Sequence, residues 1–589
     1  VLGFRKVIPK PSAIVAKAIA RTPLFRPKLD DTPPIARMLE RLGVDPKTGA
    51  SKALSLLPAD QFIRVPAISV ADRARILYFD PELARLFGFA VPASNRLTPE
   101  LEKEMLAALA FRVLEEGEDP GEHPVIEMFC DYYGGTGLAS GYGAGRAAFF
   151  PYLNLYGKGI HSTPLAEFQK ESLAHTNGFN HCRDAGFEAV WGRVGSQLFT
   201  HGSSKILAII DIGDWFDWGT HKEHAVLVIR AGPQLRPGHG VLPWKDGKHA
   251  RNVLKTATEA LGISEPGDDL KQTALRMIDA HALTAAEQVR WRILHGCIST
   301  SNLCFDGQQL DAAAMMAQPR TARITALNRG KIDAYGDEHL MRADELERLY
   351  KAAIAGLSKS DKKRLGLNFR TEMKRAYEKH LDVQLLKATG FKSSLATELT
   401  KKDPRLVRDY ATVLLEMARL QNSDGEIVAL FKNIDEISIL DVFNLLAKLP
   451  ALWFSPKQSV DVDEVIRLLK PLIHGKKPVE DQKLGKRIRE LAERFLALYP
   501  KIMAAADQQA AEHYDDLDSM HRMISRRAAF ENRPLDALTH RNLTSAIEDV
   551  FKTYDRDQLE TRDKVMSKLD SIIGSSQRNV DALLEQGTK

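Results

Sequence analysis

Residues 134–146 read Gly134-Gly135-Thr136-Gly137-Leu138-Ala139-Ser140-Gly141-Tyr142-Gly143-Ala144-Gly145-Arg146, and twelve residues further on Leu153-Asn154-Leu155-Tyr156-Gly157-Lys158 ends in a lysine. Glycines let backbone N–H groups approach phosphate oxygens closely, and Arg146 adds a guanidinium able to grip a phosphate with two hydrogen bonds. A glycine-rich turn on its own more often just joins two strands. The lysine sharpens the reading. A strand-borne lysine after a glycine loop is how kinase-like folds set a point charge on the phosphates of ATP. Such a lysine needs a carboxylate to hold it, and Glu188, in Cys182-Arg183-Asp184-Ala185-Gly186-Phe187-Glu188, stands on the helix expected to follow.

The flanks supply the fold class. Thr98-Pro99-Glu100 is an N-cap, a proline at the first helical position and an early acid, so a helix starts there. Ile206-Leu207-Ala208-Ile209-Ile210 and Ala225-Val226-Leu227-Val228-Ile229 are β-type runs. From about residue 250 the pattern is helical. Val465, Leu468, Leu469, Leu472 and Ile473 share a helix face that stops near Gly475, and Ile488, Leu491, Phe495, Leu498 and Tyr499 share another ending before Pro500. This order predicts an α+β chain with a protein-kinase-like two-lobed fold, a sheet-rich lobe leading into a helical one. The expected divisions are a basic N-terminal arm (1–65), an N-lobe (66–215), a C-lobe core (216–345) and a large helical C-terminal region (346–589).

A second chemical segment lies in the helical part. Thr284-Ala285-Ala286-Glu287 is a capping-box pattern, predicting a helix through Val289, Ile293 and Leu294. The chain then reads His295-Gly296-Cys297-Ile298-Ser299-Thr300-Ser301-Asn302, a turn at Phe305-Asp306-Gly307-Gln308-Gln309, and Asp311 nine residues after the asparagine. Asn302 and Asp311 offer hard oxygen ligands, which suit Mg²⁺ or Mn²⁺ on a polyphosphate.

Composition narrows the classes. With 44% hydrophobic and 27% charged residues in 589, the chain is an ordinary globular protein. A net charge of +5 is too mild to imply a nucleic-acid partner, and no apolar run approaches the roughly 20 residues of a membrane span. Cys130, Cys182, Cys297 and Cys304 show no disulfide-framework spacing, which fits a reducing, cytoplasmic setting. Residues 1–29 carry seven Lys or Arg and no acid, a bias that can also mark organellar targeting, although Pro9, Pro11, Pro23 and Pro27 break any long amphipathic helix.

Together these segments resemble the selenoprotein O family of protein adenylyltransferases, a pseudokinase-like group. Gly143-Ala144-Gly145-Arg146 resembles that family's G-D-G-R, and Lys158-Gly159 followed by Thr163-Pro164 resembles K-G-x-G-x-T-P. Asn177-Gly178 stands where the family has D-G, with Glu188 ten residues after the glycine. Ile229-Arg230-Ala231-Gly232-Pro233-Gln234-Leu235-Arg236-Pro237-Gly238 is similar to R-V-A-P-S-x-x-R-F-G, one residue shorter. His295-Gly296 through Asn302 and Asp311 resembles H-G-V-M-N-T-D-N and the D-Y-G-P aspartate. The resemblance implies ATP bound in a flipped orientation and transfer of AMP to a protein hydroxyl; a small-molecule hydroxyl is the other acceptor left open. It implies that Lys158 contacts phosphate and Glu188 anchors it. Gly143, Gly145, Arg146, Asn177, Gly178, Arg230 and Arg236 would line the nucleotide site, and Asn302 and Asp311 would hold the metal.

The chain departs from the pattern at informative places. The family's catalytic-loop aspartate is Ser301, whose hydroxyl cannot act as a general base near neutral pH. Asn177 lacks the charge of its counterpart, and Asp311-Ala312-Ala313-Ala314 replaces D-Y-G-P. Three activities remain open: AMP transfer, phosphate transfer on the same fold, and a nucleotide-binding pseudoenzyme that engages a partner protein through its helical C-terminal half. His221-Lys222-Glu223-His224 has two histidines three apart, but no third zinc ligand at suitable spacing.

Overall fold

An eight-stranded, wholly antiparallel sheet organises the N-terminal part of the chain, and the remainder is mostly helical. The computed structural model describes residues 62–114, 117–131, 147–150, 155–160, 178–217, 222–231, 235–241, 247–260, 269–318, 323–326, 330–333, 338–420, 428–429, 440–455, 459–469, 482–509, 515–532, 535–552, 554–555 and 557–585. The strands are β1 (Phe62–Ser69), β2 (Arg75–Phe79), β3 (Phe111–Val113), β4 (Val125–Asp131), β5 (Ala147–Phe149), β6 (Leu155–Lys158), β7 (Lys205–Asp217) and β8 (Lys222–Ala231). Their order is β2-β7-β8-β6-β5-β4-β1-β3. Since β7 and β8 pair along their length, the division expected after residue 215 falls inside one hairpin of this sheet.

Both faces of the sheet are buried, which is why its central strands read as continuous apolar runs rather than alternating ones. Leu207, Ile210, Leu227 and Ile229 face α1 (Pro81–Leu86) and α2 (Pro99–Leu109). Helix α2 begins as its sequence demands, with Thr98 accepting the Leu101 amide and Pro99 at the first position. Ile206, Ile209, Val226 and Val228 form the opposite face against α3 (Cys182–Leu198).

The helical part comprises α4 (Gly238–Val241), α5 (Lys248–Ala260), α6 (Asp269–Trp291), α7 (Glu338–Ile354), α8 (Lys359–Arg364), α9 (Phe369–Ala388), α10 (Ser393–Lys402), α11 (Pro404–Arg419), α12 (Val442–Trp453), α13 (Val462–Leu469), α14 (Gln482–Asp507) and α15 (Leu517–Glu531). One continuous apolar core joins all of these but α8 and reaches Phe149 and Tyr156 of the sheet. Two further helices, α16 (His540–Phe551) and α17 (Leu559–Glu585), leave this mass. They return to pack Leu543, Ile547, Val550, Val565 and Leu569 against Phe187, Val190 and Trp191 of α3. No helix among the described residues is long and apolar enough to cross a membrane.

Several sequence expectations are corrected. Thr284 and Glu287 do not open a helix but lie inside α6, fully or nearly buried. There Thr284 Oγ1 donates to the Ala280 and Gly307 carbonyls, and Glu287 binds Thr200, so tertiary partners replace the capping role. The helix ends at Trp291, and Ile293–Leu294 is strand β9, paired with β10 (Met316–Ala317). Helix α14 runs through Pro500 to Asp507, because Ile502, Met503 and Ala506 continue its buried stripe beyond the missing N–H. Burial of those three side chains outweighs the lost bond. Leu472, Ile473 and Gly475 lie outside the described residues. A small sheet of β11 (Arg323–Ala326), β12 (Gly330–Asp333) and β13 (Val428–Ala429) completes the set.

Candidate functional site

Register decides which side chains meet. In the β6–β8 pair Tyr156 lies opposite Arg230 and Lys158 opposite Val228. Residues two apart on a strand share a face. Tyr156, Lys158 and Arg230 therefore project from one side of the sheet, the side covered by α3.

Glu188, on the second turn of α3, meets both cations. Its carboxylate accepts a two-pronged bond from Arg230 (Nε to Oε2, 2.7 Å; Nη2 to Oε1, 2.6 Å) and a third bond from Lys158 Nζ at 2.7 Å. Asp311 closes the network, its Oδ1 lying 2.5 Å from Lys158 Nζ and 2.9 Å from Arg230 Nη2. Two cations and two carboxylates from four separate segments thus form one neutral cluster. Burial pushes the Glu188 carboxyl up, but Arg230 and then Lys158 outweigh it and hold the group below the ordinary glutamate range. Burial disfavours the charged Arg230 guanidinium, but Glu188 and Asp311 overcome this and raise its pKa. Lys158, Arg230 and Glu188 are buried, whereas the Asp311 side chain is 26% exposed.

The loop before Asp311 is tied down at many points. The His295 ring lies 2.7 Å from the Leu310 carbonyl through Nε2, and its Nδ1 faces the Cys297 amide at 3.4 Å. Those partners require the neutral tautomer with its proton on Nε2, and burial followed by Arg342 does lower this imidazole's pKa. Gly296 takes φ +79, and a Cβ there would sit 2.7 Å from the Ala314 carbonyl oxygen. Gly159, after the lysine, takes φ +103 with 2.2 Å to the Val226 oxygen. These two close approaches explain why His295-Gly296 and Lys158-Gly159 need glycine. Asp311 is itself left-handed (φ 57, ψ 55), ahead of a 3-10 turn at Ala312–Ala314.

Asn302 donates its amide nitrogen to the Cys297 carbonyl at 3.0 Å and to Cys297 Sγ at 3.3 Å, which leaves its amide oxygen as the atom suited to a cation. The Asp311 carboxylate offers a second oxygen of the hard kind that Mg²⁺ or Mn²⁺ takes, and both groups neighbour Cys297. Ser301 shares a 2.8 Å hydroxyl contact with Ser299, and its carbonyl accepts Arg236 Nη1 at 2.9 Å. Arg236 also stacks over Tyr156, 4.6 Å from the ring centre. Gly178 precedes α3 at φ +77 and takes no part in the charge network. Gly143, Gly145, Arg146 and Asn177 lie outside the described residues.

Some participants escaped the sequence reading. Glu338 accepts the His295 and Gly296 amides (3.2 and 2.9 Å), and Glu345 accepts the Thr300 amide at 3.0 Å. Both sit seven residues apart on one face of α7, buried to 6% and 0% exposure. Their spacing is visible in the sequence; their burial against this loop is not. Cys297 is a thiol beside the cluster, its pKa pushed up to about 11 by burial and Asp311. His221 falls outside the described residues and His224 instead lies 3.3 Å from Asp211. Cys182 is buried in the core against α3's neighbours, with burial raising its thiol's pKa.

No family model matches the chain, and no curated protein matches it.

Proposed function

We propose that this protein is a kinase-like nucleotide-binding protein, its sheet and helical mass forming two lobes about the Lys158–Asp311 cluster. Within that class, the reading is a metal-dependent AMP transferase of the selenoprotein O type, acting on a hydroxyl of a protein or small molecule. One observation carries it: Lys158, Glu188, Arg230 and Asp311, up to 153 residues apart in sequence, meet in a single hydrogen-bonded group. A lysine on β6, the last of the adjacent run β4-β5-β6, paired with a glutamate on the next described helix, is similar to the lysine–glutamate pair that kinase-like enzymes use on ATP phosphates.

In the reaction, the acceptor oxygen bonds to the α-phosphorus, the bond from that phosphorus to the β-bridging oxygen breaks, and pyrophosphate leaves with the electron pair. The hydroxyl proton passes to solvent. Lys158 and Arg230 offset the phosphate charge, and Glu188 holds both in place. Asn302 and Asp311 would hold the divalent cation, which adds charge neutralisation. Ser301 supplies no base, and a positioned base contributes about 10²–10⁴-fold, so slow turnover follows. Positioning and charge compensation supply most of the catalysis at phosphorus.

Ser301 also favours a second reading, a nucleotide-binding pseudoenzyme, because its hydroxyl is engaged with Ser299. One assay divides the two. With Mg²⁺ or Mn²⁺ and ATP labelled at either the α- or the γ-phosphate, α-label entering an acceptor and lost in Asp311→Ala supports AMP transfer. Entry of γ-label marks a phosphotransferase instead. Nucleotide binding without transfer of either label leaves the pseudoenzyme.

A further inference from the structure

On the nucleotide reading, in which Lys158 and Arg230 take phosphate, the Asp311 carboxylate competes with a phosphate oxygen for both of them. Its Oδ1 is shared between Lys158 Nζ and Arg230 Nη2, the two buried cations that the sheet presents for an anion. Glu188 already occupies the other side of both. Among these four the count is two positive and two negative charges, so the pull of Lys158 and Arg230 on a metal-free polyphosphate is already answered by carboxylates, while Arg236 near Arg230 adds a further positive charge. An incoming anion must either displace the Asp311 carboxylate or lie against it, and like charges in contact at a site of low dielectric repel strongly.

A divalent cation reverses that balance. Asp311 is the one member of the four whose side chain is partly exposed (26%), and the Asn302 loop is tied to its neighbour Leu310 through His295. A cation drawing the carboxylate to itself would exchange two ion pairs for a metal–oxygen bond and leave Lys158 and Arg230 to the phosphates. We propose that Asp311 is a specificity-determining residue that makes the site select the metal complex of a nucleoside triphosphate and reject the free anion. This rests on the nucleotide reading above and adds a coupling that a metal ligand alone would not produce. A simple ligand residue strengthens binding with metal and does nothing without it. Asp311 also weakens binding when metal is absent.

The test is binding of a fluorescent ATP analogue by anisotropy, in excess EDTA and in excess Mg²⁺, for the full chain and for Asp311→Ala. Wild type is expected to bind at least about tenfold tighter with metal. The variant should bind the metal-free analogue at least about tenfold tighter than wild type does, and show little metal preference. Asp311→Asn, which keeps shape and an acceptor oxygen, should move the same way and guards against a folding defect, checked by circular dichroism. If both variants bind the metal-free analogue no better than wild type, while wild type binds the metal complex, the coupling is overturned and the nucleotide site survives. If folded wild type and variants bind in neither condition, the nucleotide reading falls and takes the coupling with it.

Discussion

Glu188→Gln tests the charge cluster without touching nucleotide. The wild-type carboxylate accepts three bonds of 2.6–2.7 Å from two buried cations. Removing one partner of a buried ion pair costs about 3–5 kcal/mol, because the abandoned charge stays in the interior. Glutamine keeps the volume and one acceptor oxygen, so the expected loss is about 2–3 kcal/mol. The control is Glu82→Gln, whose carboxylate pairs with Arg193 at 3.0 Å but whose side chain is 65% exposed. An exposed pair is worth about 0–1 kcal/mol. Urea unfolding followed by tryptophan fluorescence reads both, since Trp191 sits on the same helix as Glu188. The sign with pH is also fixed. The folded pKa of Glu188 is lowered, so its stabilisation is present above the unfolded value and lost as pH falls through the folded one. The gap between wild type and Glu188→Gln should therefore be full at pH 7 and shrink below about pH 4.3. A loss no larger than that of Glu82→Gln, or one unchanged in acid, would refute the reasoning.

Two further perturbations probe what surrounds the site. A Cβ at Gly186 would lie 2.7 Å from Ile547 Cγ2, so Gly186→Ala should lose about 1–3 kcal/mol despite the ~1 kcal/mol gain in helix propensity. Adding Ile547→Ala should make the double variant's loss smaller than the sum of the two singles, as measured by thermal melts. On α9, burial and then Arg290 lower the Lys387 ammonium to about 8. Between about pH 8 and 10 the unfolded chain holds more protons there, so stability contributed by this group rises with pH over that window. Lys387→Met should accordingly stabilise the protein at pH 7 by about 1–3 kcal/mol, with the advantage fading toward pH 10.

Strands β7 and β8 were legible because their apolar runs are bounded and rich in β-branched residues, β6 as a short stretch ending in a lysine after the glycines, and Glu188 as a carboxylate on the helix expected to follow. The missed features share a cause: each depends on a partner far away in sequence. Two residues are too few to announce β9, which exists because Met316 and Ala317 lie beside it. A capping-box pattern at Thr284 was overruled by buried partners at Gly307 and Thr200. Helices α16 and α17 have ordinary amphipathic faces, and nothing in them names α3 as their destination. Leu543 and Val565 show an apolar stripe, while Tyr554, whose hydroxyl donates to Asp211 at 2.7 Å, shows only a tyrosine.

The sheet's own stability enforces the site. Ile229 sits one residue from Arg230 on β8 and faces the core under α1 and α2, opposite Gly157. That glycine is already crowded: a Cβ would stand 3.1–3.3 Å from Ile160, Phe150 and Leu227. Slipping β8 by one residue against β6 would turn Arg230 into this apolar core and Ile229 out toward Glu188. Burying an unpaired guanidinium there costs far more than any local rearrangement recovers. The register that satisfies the hydrophobic faces is therefore the same one that brings Arg230 beside Lys158. The fold cannot keep its core and lose this pairing, so the charge cluster is as firmly specified as the packing that surrounds it.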